Sequence, residues 1–255
     1  MKYAIIAAGE GSRLAQEGVD VPKPLVKVQD EHLIDRLIRV FMAHDAEEID
    51  VICNGLTTCV SRHLKKIKDN GLHGSPVPLR FIVKSTPSSM HSFFELSKIL
   101  NDGPFVLTTV DTIFCEEEFS IYISRFKEVL AQGEDGLMGV TDYIDDEKPL
   151  YVGTDENLNV TGFYDDNSHN CRYISGGIYG LAPNTLGTLY RCMDRGECRM
   201  RNFQRALIRD GLKLEAYPFS KVLDIDHASD IEKAENFLKR SEERRVGKEC
   251  LITCR

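Results

Sequence analysis

Within the first 110 residues, four short apolar runs alternate with helical patterns. The runs are Lys2 to Ala8, Ile49 to Asn54, Leu79 to Val83 and Pro104 to Val110. Each is too short for a helix and is bounded by polar or glycine-containing segments, so each reads as a buried strand. Between them, Leu33, Ile34, Leu37, Ile38 and Phe41 recur at helical spacing, as do Val60, Leu64 and Ile67, and then Phe93, Leu96 and Leu100. A chain that alternates in this way is expected to form an α/β fold with a doubly wound, mainly parallel sheet. Ligands of such sheets bind outside the carboxyl ends of the strands. Gly9, Lys84 and Asp111 all fall at or just beyond such ends.

The first strand runs directly into Gly9-Glu10-Gly11-Ser12-Arg13, and Pro22-Lys23-Pro24-Leu25 follows ten residues later. Glycines at the end of a strand let backbone N–H groups approach a polyanion without obstruction by side chains. Arg13 offers a planar fork and Lys23 a point charge to phosphate oxygens. The two prolines restrict the backbone around Lys23, which places that charge on a stiff segment. The pattern is neither the GxxxxGK[ST] loop nor GxGxxG, because Leu14 stands where the third glycine would be.

Composition narrows the partners. With 255 residues the chain can bury roughly three quarters of its unfolded surface as one large domain. Its formal net charge is −8, which argues against a nucleic-acid or anionic-membrane surface. No apolar run has the length of a membrane span. The eight cysteines show no CxxC and no paired zinc spacing, as expected of reduced thiols in a cytoplasmic protein. An acidic chain that handles phosphates must gather positive charge locally or recruit a metal ion.

The pair Ala7-Ala8-Gly9-Glu10-Gly11-Ser12-Arg13 and Pro22-Lys23-Pro24-Leu25 resembles the signature of the nucleotidyltransferase family. That family makes NDP-sugars and related activated alcohols, and the similarity extends through residue 240. The resemblance implies a Rossmann-like sheet and a nucleoside triphosphate held by Ala8, Gly9, Glu10, Gly11 and Ser12, with Arg13 and Lys23 as the catalytic cations. Lys84, Ser88 and Ser89 lie where the family places a loop that holds base and ribose. Ser89 alternatively reads as the N-cap of the next helix. Asp111 is in the position of a Mg²⁺-binding aspartate, with a helix cap as the other reading, and its partner is expected in Leu223-Asp224-Ile225-Asp226. Alternation puts Asp224 and Asp226 on one face; Asp226 is the first choice because it leaves the strand last. Val110 stands where many relatives have glycine.

Beyond residue 131 the pattern changes. A strand is expected at Gly136 to Thr141, a hairpin from Leu150 to Tyr164 around Asp155-Glu156-Asn157, and a strand from Arg172 to Leu181. Short helices are expected at Asn184 to Asp194 and Met200 to Asp210, and strands at Leu212 to Phe219 and Val222 to Asp226. This half reads as a β-rich acceptor-binding portion, in which the resemblance assigns Asp165, Ser175 and Gly176 to the acceptor; the two glycines in Ser175-Gly176-Gly177 also fit a bulge. Residues 1–240 form one domain ending in a helix from Ser229. The segment 241–255 shows neither period and is expected to be disordered or non-native.

The implied reaction is attack by a phosphate monoester, most naturally a sugar 1-phosphate, on the α-phosphorus of the triphosphate, releasing pyrophosphate. Cytidylyl transfer to a phospho-alcohol such as phosphocholine is a second reading. A glycosyltransferase would not need the Gly9 to Lys23 signature. A non-catalytic nucleotide- or sugar-binding module would not need Arg13, Lys23, Asp111 and Asp226 together. The base, the acceptor and the oligomeric state are left open by the sequence.

Overall fold

A computed structural model of the chain describes residues 1–9, 11–145 and 147–253, with side chains described to residue 241. The central strand β1 (Lys2–Ala7) pairs in parallel with β4 (Glu48–Cys53) on one side and β6 (Phe105–Thr109) on the other. Beyond β4 lies β5 (Leu79–Val83), also parallel. Beyond β6 lies the long strand β11 (Tyr173–Leu181), then β8 (Gly136–Thr141) and β12 (Leu214–Phe219). Only β11 runs against the others in that row. The hairpin of β9 (Tyr151–Thr154) and β10 (Val160–Tyr164) attaches to the start of β11. The mainly parallel sheet and its β-rich second half match the expectation from sequence.

Helices cover both faces, which is why the central strand is apolar at successive positions. Tyr3, Ile5 and Ala7 of β1 point into one core with α2 (Leu33–Met42), α3 (Thr58–Asn70) and α5 (Glu116–Ala131). Ala4, Ile6 and Ala8 point into the other with α4 (Ser89–Ser97), α6 (Thr185–Asp194) and α7 (Met200–Arg209). This period of two is that of a strand buried on both sides. Ile5 is wholly buried, and its truncation to alanine would cost about 2–5 kcal/mol.

Four features were not legible in the sequence. A short helix α1 (Ser12–Gln16) follows the glycine loop, and a hairpin of β2 (Lys27–Val28) and β3 (Glu31–His32) follows Lys23. β7 (Thr112–Phe114) pairs antiparallel with β13 (Val222–Asp224), although about 110 residues separate them. The last helix, α8 (Ala228–Thr253), runs past Arg240, so the disorder expected from residue 241 is not what the backbone shows. Ser-Glu-Glu-Arg-Arg lacks an apolar stripe but consists mostly of good helix formers, and propensity carries the helix onward. Residues 254 and 255 lie outside the described residues. Among the described residues no helix is long and apolar enough to cross a membrane. Cys53, Cys59, Cys115, Cys171, Cys192 and Cys198 are free thiols.

Candidate active site

The turn after β1 is shaped by backbone constraints. Gly11 has φ +63°, a left-handed conformation that favours glycine, and a Cβ there would lie 3.3 Å from Cβ of Lys23. The same glycine therefore sets both the turn and the close approach of the Lys23 segment. Below it, the buried Asn54 at the end of β4 donates to the Ala8 carbonyl at 3.2 Å and accepts from Ser85 Oγ at 2.6 Å. Asn54 thus fixes the floor of the loop from the neighbouring strand; nothing in its local sequence marks it.

Lys23 sits on a 3₁₀ turn (Lys23–Leu25), flanked by its two prolines. Its Nζ donates to Asp111 Oδ2 at 2.7 Å and to Asp226 Oδ1 at 2.6 Å. Arg13 Nη1 meets the other Asp226 oxygen at 3.1 Å. Burial by itself would lower the Lys23 pKa, but the charge of Asp111 and the hydrogen bonds that Lys23 donates to both carboxylates outweigh it, and the pKa is raised. Burial would likewise raise the Asp226 carboxyl; Lys23, Arg13 and His227 overcome it and hold that carboxyl below its ordinary value.

The β7–β13 pairing is what brings these acids together. Thr112 pairs with Asp224, and the Ile225 amide donates to the Asp111 carbonyl at 3.2 Å. Asp111 does not cap a helix, since Cys115 occupies the position before α5. The β13 strand stops at Asp224, so Asp226 lies in the turn before α8 and does not follow the strand alternation. That turn is held by Asp230, whose Oδ2 accepts from the amides of Asp226 and His227 at 3.2 and 2.8 Å. Glu17 at the end of α1 accepts from the Ala228 amide at 2.7 Å and pairs with His227 at 2.6 Å.

Two cavities meet at the Lys23–Asp226 contact. One, of about 520 Å³, is lined by Ala8, Gly9, Gly11, Lys23, Ser88 and Asp111, among others. Ser89 and Val110 also face it. The second, of about 260 Å³, includes Arg13, Ser175, Gly176, Asp224 and Asp226 in its lining. The structure therefore brings Arg13, Lys23, Asp111 and Asp226 together at the junction, with Asp224, Ser175 and Gly176 in the lining of the smaller cavity beside it. Ser12 lies at the start of α1, and Glu10 falls outside the described residues.

Two candidates are not brought there. Lys84 follows the edge strand β5 and pairs with Glu95 at 2.8 Å, half exposed. Asp165 follows β10 and is drawn to Arg201 and Arg205, one turn apart on α7, at 2.6 and 2.7 Å. Neither lines the two cavities. The cap of α4 is Ser88 rather than Ser89: Ser88 Oγ accepts from the His91 amide. Ser175 lines the smaller cavity, and the glycines after it form a bulge: the β11–β8 register shifts between Ser175 and Ile178, and Gly177 has φ +70°. The buried Gln204 of α7 accepts from Ser175 Oγ at 3.0 Å, a partner that spacing could not reveal.

The pattern of the family described as nucleotidyl transferase matches residues 2–241. The chain belongs to the nucleotidyl transferase family. Among solved structures, this nucleotidyltransferase is similar to a protein of Bacillus anthracis provisionally named a glucose-1-phosphate thymidylyltransferase, in complex with sucrose. The TM-score is 0.79 and the identity 17%, over 93% of this chain and 94% of that one. The inositol-1-phosphate CTP transferase of T. maritima matches with a TM-score of 0.70 and 17% identity, over 93% and 97%. A nucleoside-diphosphate-sugar pyrophosphorylase of Vibrio cholerae RC9 matches with 0.68 and 16%, over 92% and 100%. At such identities the likeness is one of fold. No curated protein matches the chain.

Proposed function

We propose that residues 1–240 form a cytoplasmic, Mg²⁺-dependent nucleotidyltransferase unit. It moves an NMP from a nucleoside triphosphate to a phosphorylated small molecule, a sugar 1-phosphate first among candidates, and releases pyrophosphate. The observation that carries this reading is Lys23 bridging Asp111 and Asp226 where the two cavities meet. The larger cavity would take the triphosphate against Ala8, Gly9, Gly11, Ser88 and Ser89, with Ser12 at the start of α1 and Glu10 between the two glycines in sequence. The smaller cavity would take the acceptor against Ser175 and Gly176.

A phosphate monoester has a second pKa near 6, so the nucleophile is already anionic at neutral pH and no general base is required. What the protein must do is hold two anions together and offset charge growing on the α-phosphate. Arg13 and Lys23 can do this from opposite sides of Asp226. Their two charges are balanced by Asp111 and Asp226, so reactants carrying several further negative charges call for another cation. Two carboxylates that already share one ammonium form a hard-oxygen donor set suited to Mg²⁺, which takes one or two carboxylates plus phosphates and water. When bound, that ion would be held by Asp111 and Asp226, with Asp224 adjacent, and would supply charge neutralisation at the phosphates. Lys23 would then be released to grip a phosphate oxygen.

A second reading is supported by the smaller cavity itself. Asp145, Glu147, Asp224, Asp226 and Asp230 all contribute to it, opposed by Arg13 and Lys233. An acceptor with a positive charge, such as phosphocholine with CTP, suits that lining. Pyrophosphate release should be measured with each of the common triphosphates against a panel of phosphorylated sugars and alcohols in Mg²⁺. One strongly preferred pair is expected. A chain that binds a triphosphate yet releases no pyrophosphate with any acceptor would be a binding module, and the proposal would fail.

A further inference from the structure

His32, Asp35 and His63 converge on one another and line neither cavity of the active site. His32 precedes α2, Asp35 stands in the first turn of that helix, and His63 reaches across from α3. His63 Nε2 lies 2.6 Å from Asp35 Oδ1, and His32 Nδ1 lies 3.0 Å from Oδ2. One ligand atom from each residue falls within 4.8 Å of the others, and among the described residues no other group of three His, Cys, Asp or Glu side chains does so. The Asp35 side chain is 11% exposed, the two imidazoles 28% and 24%.

We infer that this trio is a binding site for a divalent transition ion of the Zn²⁺ class, separate from the Asp111–Asp226 centre. Two imidazole nitrogens and one carboxylate form a borderline-soft set that suits Zn²⁺; Mg²⁺ and Ca²⁺ favour oxygen alone. Bonds of about 2.0–2.2 Å in a tetrahedron place neighbouring ligand atoms about 3.4 Å apart. The His–Asp separations of 3.0 and 2.6 Å are about 0.4 and 0.8 Å shorter, as expected where a hydrogen bond occupies the place of the ion. Opening them requires small side-chain rotations, because the rings are partly exposed. That exposure also leaves a side open for water as a fourth ligand.

Binding requires the ring nitrogens that face Asp35 to give up their N–H, by exchange of tautomer or by release to solvent. The ion would tie the start of α2 to α3. It would also anchor the β2–β3 hairpin, which ends at His32 and follows the Lys23 turn. The opposing account is that two imidazoles merely satisfy a buried carboxylate. That account demands no metal affinity at all.

The test uses the tag-free, full-length chain stripped of metal. Zn²⁺ is titrated calorimetrically, and Co²⁺ by visible absorption, which reads ligand type and geometry. One equivalent is expected to bind, with nitrogen–oxygen rather than thiolate bands and a melting temperature that rises with Zn²⁺ concentration. His32→Asn and His63→Asn, each checked for folding by circular dichroism, should each weaken binding about 100-fold or more. Asp111→Asn should leave it unchanged. Absence of saturable binding, binding unaltered in both histidine variants, or loss in Asp111→Asn would each overturn the site.

Discussion

The two cavities joined by the Lys23–Asp226 ion pair are built by different rules. The larger lies at the ends of the parallel strands β1, β5 and β6, and its lining comes mostly from the segments that follow them. The smaller is assembled from a bulged antiparallel strand, β11, a three-residue strand, β13, and the turn into α8. A parallel sheet delivers its loops to one edge by topology alone, so local patterns suffice to find them. The second cavity depends on pairings across 100 residues, and no local pattern encodes those. Loss of a side chain should therefore affect triphosphate and acceptor differently on the two sides, and affect both only at the junction.

The largest effect is expected at the junction. Lys23→Ala should lower kcat about 10²–10³-fold with either substrate saturating, as for loss of a preorganised electrostatic group. Its melting curve, recorded alongside, should stay cooperative, because Asp226 is 44% exposed and water can reach the vacated space. Asp226→Asn should reduce kcat comparably and raise the Mg²⁺ concentration needed for half-maximal rate. A rate within a few-fold of the parent would detach the junction from the chemistry.

On the acceptor side, Gln204→Leu removes the acceptor of the Ser175 hydroxyl while keeping side-chain volume. The KM for acceptor is expected to rise about tenfold, one buried hydrogen bond's worth, with the KM for triphosphate unmoved. Equal shifts in both constants would erase the distinction between the cavities. On the nucleotide side, Ser88→Ala removes the cap of α4 and should cost about 1 kcal/mol of stability, read by urea denaturation. The KM for triphosphate should rise while that for acceptor does not. The smallest effect belongs to Asp165→Asn. Its carboxylate is engaged by surface arginines, so stability should fall by about 0–1 kcal/mol and the acceptor KM should stay within about twofold.

What the sequence disclosed follows the same division. The glycine turn, Lys23 between its prolines and Asp111 at a strand end were readable because each is a local pattern with a local cause. Asp226 was preferred over Asp224 because it comes last, and it is the residue that Lys23 and Arg13 contact. Asn54 was missed because a single polar residue closing an apolar strand carries no periodic signal, and Gln204 because it is one polar residue among several in Met200–Arg209. The strand expected over Val222 to Asp226 is there as β13, but the three-residue β7 that it pairs with is too short to show a period, and the pairing itself has no local signal. Lys84 and Asp165 satisfied a motif position, yet nearby opposite charges on α4 and α7 direct them elsewhere. The extension of α8 escaped a reading that looked for an apolar stripe where helix propensity was sufficient.

The most direct test of the junction is a crystal structure with Mn²⁺ in place of Mg²⁺ and a non-hydrolysable triphosphate, with the metal located by anomalous scattering. The account predicts a peak about 2.0–2.2 Å from carboxylate oxygens of both Asp111 and Asp226, with Lys23 moved from between them onto a phosphate oxygen. A triphosphate bound in the larger cavity while Lys23 still bridges the two carboxylates, and no metal peak beside them, would contradict it.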